Sequence, residues 1–145
     1  LIKHLGIEPL SNSFNKSYLA DICKKSNLSI KKLIMDQKNI VGVGNIYASE
    51  SLFLARINPN SLSRDLSLKD CENLVKSIKK ILKYAIKKGG TTLKDFFSAD
   101  GSEGYFSLEL NVYGRDSMQC KDCDNEITKT IIGQRATYLC SNCQS

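Results

Sequence analysis

Two pairs of cysteines near the carboxyl end constrain the fold of this chain more than any other feature. Each pair encloses two residues, and sixteen residues separate the pairs. Four thiolates at this spacing are typical of a closed tetrahedral zinc site, which is structural. Disulfides or four idle thiols are the alternatives, and the absence of a secretory leader or long apolar run disfavours disulfides. We predict one structural zinc ion bound by Cys120, Cys123, Cys140 and Cys143.

The segment between the cysteine pairs has the pattern of a β-hairpin. Residues 127–132 alternate along one strand, Gly133 and Gln134 supply a tight turn, and Arg135 follows at the tip. Residues 136–139 return to the second cysteine pair. So short a segment cannot bury a core, so zinc must supply its folding free energy, on the order of 10–16 kcal/mol in comparable peptides.

The rest of the chain predicts a mainly helical body. We expect helices over 15–25, 30–35 and 46–56 and a long one from Ser67 to Gly89-Gly90. In the first, Asn15 is the expected N-cap, and the expected buried residues are Tyr18, Leu19 and Ile22. The long helix has a predicted capping box and a predicted buried stripe of Leu68, Cys71, Val75, Ile78, Leu82 and Ala85. Cys23 and Cys71 are expected to be small buried hydrophobes that pair with nothing.

Positive charge is concentrated in the long helix and just after it. The net charge is +6, and residues 76–94 contain seven lysines and no acid. An isolated lysine run usually marks a solvated helix face, which here includes Lys76, Lys79, Lys80, Lys83 and Lys87. Beside a zinc ribbon, the excess favours a polyanion partner, most simply nucleic acid.

Two glycine segments could bind an anion through the backbone. After Gly42-Val43-Gly44, Asn45 begins a helix whose first amides are unpaired and can hold a phosphate. The alternative there is a simple turn with an asparagine cap. Gly89-Gly90 likewise leaves N–H groups exposed in a loop, or simply stops the helix.

Taken together, these motifs occur in the order found in one enzyme family. They are Asp36-Gln37, Gly42-Val43-Gly44-Asn45-Ile46-Tyr47-Ala48-Ser49-Glu50, Gly89-Gly90-Thr91-Thr92-Leu93, Gly104-Tyr105-Phe106, Val112-Tyr113-Gly114-Arg115 and the cysteine pairs. The chain resembles the C-terminal half of bacterial formamidopyrimidine-DNA glycosylase, a base-excision repair enzyme that removes oxidised purines such as 8-oxoguanine. The endonuclease VIII group shares the layout, but the 45–48 and 89–93 segments look more like the formamidopyrimidine type.

The resemblance implies a helix-two-turn-helix domain followed by a four-cysteine β-hairpin zinc finger. Residues 1–13 would connect a missing N-terminal catalytic domain to a DNA-binding domain over 14–113, with the finger over 114–145. The implied partners are double-stranded damaged DNA and that N-terminal domain. The implied protein is a bacterial, cytoplasmic monomer that associates with the nucleoid when bound to DNA.

The resemblance also implies roles for particular residues. The implied contacts with DNA phosphates and backbone are made by Asn45, Gly44, Arg135, Lys129 and Tyr113. Such contacts position DNA without reading its sequence. Main-chain groups of a loop would surround the flipped oxidised purine; the loop residues are Thr91, Leu93, Lys94, Asp95 and Phe96. The usual Gly-Arg-Ala at the finger tip is here Gln134-Arg135-Ala136, which keeps the arginine.

The chemistry of the family starts from an N-terminal proline amine, and this chain begins Leu1-Ile2-Lys3-His4. We therefore expect a fragment that binds DNA weakly and has no catalytic residue. Two alternatives stay open from the sequence. Residual lyase activity could come from a lysine amine, since abasic aldehydes react with many amines. The chain could instead be a non-enzymatic zinc-ribbon interaction module, whose binding would be indifferent to salt.

Overall fold

The computed structural model describes residues 5–89 and 109–145. Four helices form the body, and a two-stranded antiparallel hairpin follows near the carboxyl end. The elements are α1 (Lys16–Lys24), α2 (Ile30–Met35), α3 (Asn45–Leu54), a 3-10 turn (Ser63–Asp65), α4 (Leu68–Gly89), β1 (Thr128–Ile132) and β2 (Arg135–Leu139). None of the helices in the described part of the chain is both long and apolar enough to span a bilayer.

Helix α1 forms where the sequence predicts it. The Asn15 side chain accepts a hydrogen bond from the N–H of Tyr18 at 3.0 Å, which caps the first turn. Leu19 is fully buried, whereas Tyr18 and Ile22 are only partly buried against the core. The face of α1 that packs on the body is therefore narrower than predicted.

Helix α3 lies at the centre of the body. Every residue from Ile46 to Phe53 is buried, as expected for a helix that is packed on all sides. The turn before it needs glycine because Gly42 has a φ of +84°. The helix ends at Leu54 rather than near Arg56, because Arg56 adopts a φ of +62° and cannot continue it.

Helix α4 begins with the predicted capping box. The N–H of Asp70 donates to Ser67 Oγ at 3.0 Å, and the N–H of Ser67 donates to Asp70 Oδ2 at 3.1 Å. The predicted stripe is buried except for Leu68, which is the first residue of α4 and is 56% exposed. Leu74, absent from the predicted stripe, is fully buried at its centre.

The two cysteines outside the zinc segment are free and buried, as predicted. Cys23 on α1 and Cys71 on α4 lie close enough for each thiol to shift the pKa of the other. The Cys71 thiol and burial raise the pKa of Cys23 above its ordinary value, and the Cys23 thiol lowers the pKa of Cys71. Both residues pack as small hydrophobic side chains where α1 meets α4.

The hairpin has the register that its sequence predicts. Ile132 pairs with Arg135, so Gly133 and Gln134 form a two-residue turn, with φ values of +58° and +66°. Two consecutive positive φ angles are the geometry of a type I′ hairpin turn. Along β2, Thr137, Tyr138 and Leu139 are buried.

Several polar contacts attach the carboxyl-terminal segment to the helical body. The buried carboxylate of Glu50 accepts hydrogen bonds from the N–H groups of residues 111–113, each at 2.8 Å. The buried side chain of Gln144 donates to the carbonyl of Ile57 at 3.0 Å. Arg56 forms an ion pair with Asp122 beside the cysteines. These contacts set the position of the hairpin relative to α3.

Candidate nucleic-acid interface and metal centre

The four predicted metal ligands converge on one point. Their Sγ atoms all lie within 4.8 Å of one another. The separation is 4.0 Å between Cys120 and Cys143 and 3.5 Å between Cys123 and Cys140. A tetrahedral site with zinc–sulfur bonds of about 2.3 Å places its sulfurs about 3.8 Å apart. The cluster therefore fits one four-thiolate zinc ion, as predicted.

A backbone amide stabilises the Cys123 thiolate, whereas burial raises the pKa of Cys120 and raises the pKa of Cys143 to about 12. A hydrogen bond from the Asn125 amide is the main cause that lowers the pKa of Cys123 to about 7. The N–H of Asp122 donates to Cys120 Sγ at 3.4 Å. N–H groups directed at sulfur are the outer-shell support that a thiolate metal site requires. When bound, zinc supplies a rigid cross-link between the two cysteine pairs.

The start of α3 differs from the simple asparagine cap that the sequence leaves open. Gly44 is the N-cap residue, and Asn45 is the first residue of the helix. The Asn45 side chain turns toward the finger, where its Nδ2 donates to the carbonyl of Ala136 at 2.9 Å. An amide nitrogen carries two hydrogens, so a second Nδ2 hydrogen can be donated to an anion beside the positive end of α3.

Lys31 completes this contact, and sequence reasoning missed it. Its side chain is 1% exposed, and its Nζ donates to Asn45 Oδ1 and to Thr137 Oγ1, both at 2.6 Å. Burial, with the nearby charge of Arg135, lowers the pKa of Lys31 to about 8. Lys31 therefore bridges the start of α3 and strand β2.

Arg135 lies at the exposed end of the hairpin, close enough to Lys31 to disfavour its charge. Both residues line an open groove of about 380 Å³ between α2 and the hairpin turn. Asp36 also lines this groove, but its carboxylate accepts a hydrogen bond from the N–H of Lys38. Within the described residues, neither Lys31 nor Arg135 forms an ion pair with an acid. We call Lys31, Asn45 and Arg135 the cationic joint.

Lys129 and Tyr113 form a second group. Lys129 and Tyr138 are paired across the hairpin, with Lys129 Nζ 5.9 Å from the centroid of the Tyr138 ring. The ring of Tyr113 packs edge-on against Tyr138, with centroids 4.8 Å apart. Because side chains alternate along a strand, Lys129 and Arg135 lie on opposite faces of the hairpin. The structure thus divides the predicted DNA contacts into two groups.

The predicted base-recognition loop lies outside the described residues. Its members are Thr91, Leu93, Lys94, Asp95 and Phe96. Nothing in the sequence separates buried Lys31 from its exposed neighbour Lys32 except spacing. Lys31 precedes Ile34 by three residues, which places both on the packed side of α2.

Both parts of the chain match known domains. Residues 5–97 match the formamidopyrimidine-DNA glycosylase H2TH domain, and residues 119–145 match the zinc finger found in FPG and IleRS. The chain belongs to the formamidopyrimidine-DNA glycosylase family. The predicted family and the predicted order of a helix-two-turn-helix domain and a zinc finger are confirmed.

Similar proteins of this family are about twice as long. The chain is 52% identical over 144 residues to the formamidopyrimidine-DNA glycosylases of Klebsiella pneumoniae subsp. pneumoniae and Escherichia coli O6:H1. The match covers 99% of this chain and 54% of each relative. The chain therefore spans about half the length of the curated relatives that it matches.

Solved structures of the family superpose on nearly the whole chain. MutM (Fpg) from Thermus thermophilus has a TM-score of 0.85 at 35% identity, over 98% of this chain and 54% of that one. The Lactococcus lactis enzyme, crystallised non-covalently bound to DNA that contains an AP site, has a TM-score of 0.86 at 33% identity. That match covers 99% of this chain and 52% of the other.

Proposed function

We propose that this chain is the DNA-binding, lesion-recognising half of a base-excision repair glycosylase and abasic-site lyase that acts on oxidised purines. It binds double-stranded damaged DNA and works with an N-terminal catalytic domain of the same enzyme. The working enzyme is a monomer in the bacterial cytoplasm. Family membership and the DNA-bound Lactococcus lactis relative support this proposal.

The observation that carries the proposal is the cationic joint. Two positive side chains and the positive end of α3 meet where the helical body contacts the finger. Bringing Lys31 and Arg135 together costs free energy in the unbound protein, because like charges repel. A phosphate placed in the neighbouring groove would offset that cost and accept hydrogen bonds from both elements.

Each group of contacts has its own role in this proposal. Gly44 and Asn45 offer amide donors to a phosphate that flanks the lesion, and Arg135 binds phosphate from the hairpin side. On the opposite face of the hairpin, Lys129 and Tyr113 contact the backbone further along. Such contacts fix the orientation of DNA and leave its sequence unread.

The remaining assignments follow from the same proposal. Residues 1–13 connect the catalytic domain to the DNA-binding domain of 14–113, and residues 114–145 form the zinc finger. Residues 91–96 surround the flipped base with main-chain donors and acceptors. The zinc ion is structural, since four sulfurs fill its coordination and leave no position for substrate.

Alanine substitution in the cationic joint tests this function. Arg135→Ala should weaken binding to a duplex carrying an abasic-site analogue about tenfold or more, because a charged hydrogen bond is worth about 1.5–3 kcal/mol. Asn45→Ala should also weaken it, since it removes a donor at the start of α3 and loosens the Lys31 bridge. Fluorescence anisotropy of a labelled duplex measures both effects.

Two exposed residues away from the joint serve as matched controls. Arg64→Ala removes one exposed arginine whose side chain donates to Asn27, and Asn60→Ala removes one exposed asparagine. Both should bind the duplex like the unmodified chain. Unchanged affinity in Arg135→Ala and Asn45→Ala, with the helical circular dichroism intact, would contradict the proposed phosphate contacts.

A further inference from the structure

Helix α4 carries a ridge of lysines on the side opposite its buried stripe. The ridge consists of Lys69, Lys76, Lys80, Lys83 and Lys87. With 3.6 residues per turn, these positions fall within about 60° of one another around the helix axis. All five side chains are exposed, whereas Cys71, Leu74, Ile78, Leu82 and Ala85 are buried on the other side.

Among the described residues, acids neutralise only the first part of the ridge. Glu72 forms ion pairs with Lys69 at 3.3 Å and with Lys76 at 3.7 Å. Within residues 5–89 and 109–145, Lys80, Lys83 and Lys87 form no ion pair with an acid. The second half of the ridge thus presents three positive charges to solvent.

The helix dipole accounts for only one of these three lysines. Positive charge stabilises a helix within its last turn, and Lys87 lies there. Lys80 and Lys83 precede that turn, so the dipole does not reach them. Like charges four residues apart destabilise a helix by a few tenths of a kcal/mol per pair. Their placement on one face therefore does not stabilise the isolated helix.

We propose that Lys80, Lys83 and Lys87 form a second contact with the phosphate backbone of duplex DNA, separate from the cationic joint. This inference rests on the proposed DNA-binding function. The three residues extend over about 10 Å of helix, and a DNA strand carries one phosphate about every 3.4 Å of axis. The ridge thus matches about three phosphates. Because it makes no base contact, it strengthens binding to damaged and undamaged DNA equally.

The salt dependence of binding tests this second contact. Each phosphate neutralised by a lysine contributes about 0.9 to the slope of log affinity against log salt. In the zinc-loaded full chain, the variant Lys80→Gln/Lys83→Gln/Lys87→Gln should reduce the magnitude of this slope by about 2.7. The change should be the same on an undamaged duplex and on one with an abasic-site analogue.

A control variant with the same change in net charge separates the ridge from a general charge effect. Lys25→Gln/Lys38→Gln/Lys121→Gln removes three exposed lysines outside α4. Its slope should change by less than about one. An equal fall in both variants, or no fall in the ridge variant, would overturn the second contact.

The failure of this inference can be told apart from failure of the proposed function. A ridge variant with an unchanged slope, in a chain whose binding still depends on Arg135, refutes only the second contact. A chain that binds no duplex at low salt refutes the proposed function and the ridge contact with it.

Discussion

The ammonium group of Lys31 lies 2.6 Å from Oδ1 of Asn45 and 2.6 Å from Oγ1 of Thr137, so one buried side chain connects α3 to the finger. No acid balances this charge within the described residues. Burying an unpaired ammonium group is costly, and its pKa falls as a result. A buried ammonium group without an acidic partner is expected in a protein that binds an anion at this position.

The depressed pKa of Lys31 makes stability depend on pH. Its pKa is about 8 in the folded chain and 10.5 for the unperturbed group. Below pH 8 both states hold the proton, and the folded state bears the full cost of the buried charge. Between pH 8 and 10.5 only the unfolded state keeps the proton, so the contribution of Lys31 to stability rises with pH.

Lys31→Met should remove this contribution. Urea unfolding should show the unmodified chain gaining stability relative to Lys31→Met between pH 8 and 10.5, by about 3 kcal/mol at most. Lys32→Met, on the exposed neighbouring residue, is the control and should follow the unmodified chain. A stability difference between the unmodified chain and Lys31→Met that does not vary with pH would contradict the burial of a charged Lys31.

The carboxylate of Glu50 should matter greatly for stability. Its two oxygens accept three N–H groups from residues 111–113. Glu50→Gln replaces one acceptor by a donor that faces these N–H groups, so we expect a loss of about 2 kcal/mol or more in urea unfolding. Glu126→Gln, at an exposed glutamate, should change stability by less than about 0.5 kcal/mol. Similar values for both variants would refute the anchoring role.

The hairpin turn contains a strained residue that can be relieved. Gln134 has a φ of +66°, a conformation that costs a residue with a side chain about 1–2 kcal/mol. Gln134→Gly should therefore stabilise the hairpin by about 0.5–1 kcal/mol after the entropy of glycine is counted. Gly133→Ala should destabilise the hairpin. Gly133 has a φ of +58°, which is strained for a residue with a side chain, and the added Cβ would lie 3.3 Å from Lys32 Cγ. Thermal unfolding of the two variants measures both; a lower Tm for Gln134→Gly would show that the turn is unstrained.

Removing zinc should unfold one part of the chain. The finger has a small apolar cluster, which includes Cys120, Ile127 and Cys140, and zinc supplies most of its folding free energy. A chelator should abolish the dispersed NMR amide signals of residues 119–145 while those of the helical body persist. Persistence of the hairpin signals in zinc-free protein would contradict a structural role for the metal.

Local signals explain what could be predicted from the sequence. Asn15, the Ser67–Asp70 box and the Gly133-Gln134 turn act over two to four residues, and the structure confirms each of them. The spacing of the four cysteines also predicts their convergence. Leu68 was wrongly predicted to be buried. Helical periodicity shows which face of the helix a residue lies on, but not how far along the helix that face is packed.

The missed features depend on contacts between distant parts of the chain. The Lys31–Thr137 bond joins residues 106 positions apart, and the Glu50 bonds join residues 61 to 63 positions apart. The residues next to Lys31 and Glu50 in the sequence do not show that these two side chains are buried, because their partners lie in distant parts of the chain. The place of Lys31 in the cationic joint could therefore be found only from the structure, whereas Asn45 and Arg135 were predicted as phosphate contacts.

The most direct measurement is the affinity of the zinc-loaded chain for duplex DNA at two salt concentrations, with an abasic-site analogue and with undamaged DNA. Our account predicts binding that weakens steeply with salt, since phosphate contacts release counterions. It also predicts tighter binding to the abasic analogue, because part of lesion recognition lies in this half. Binding that is indifferent to salt, or no binding at low salt, would contradict it.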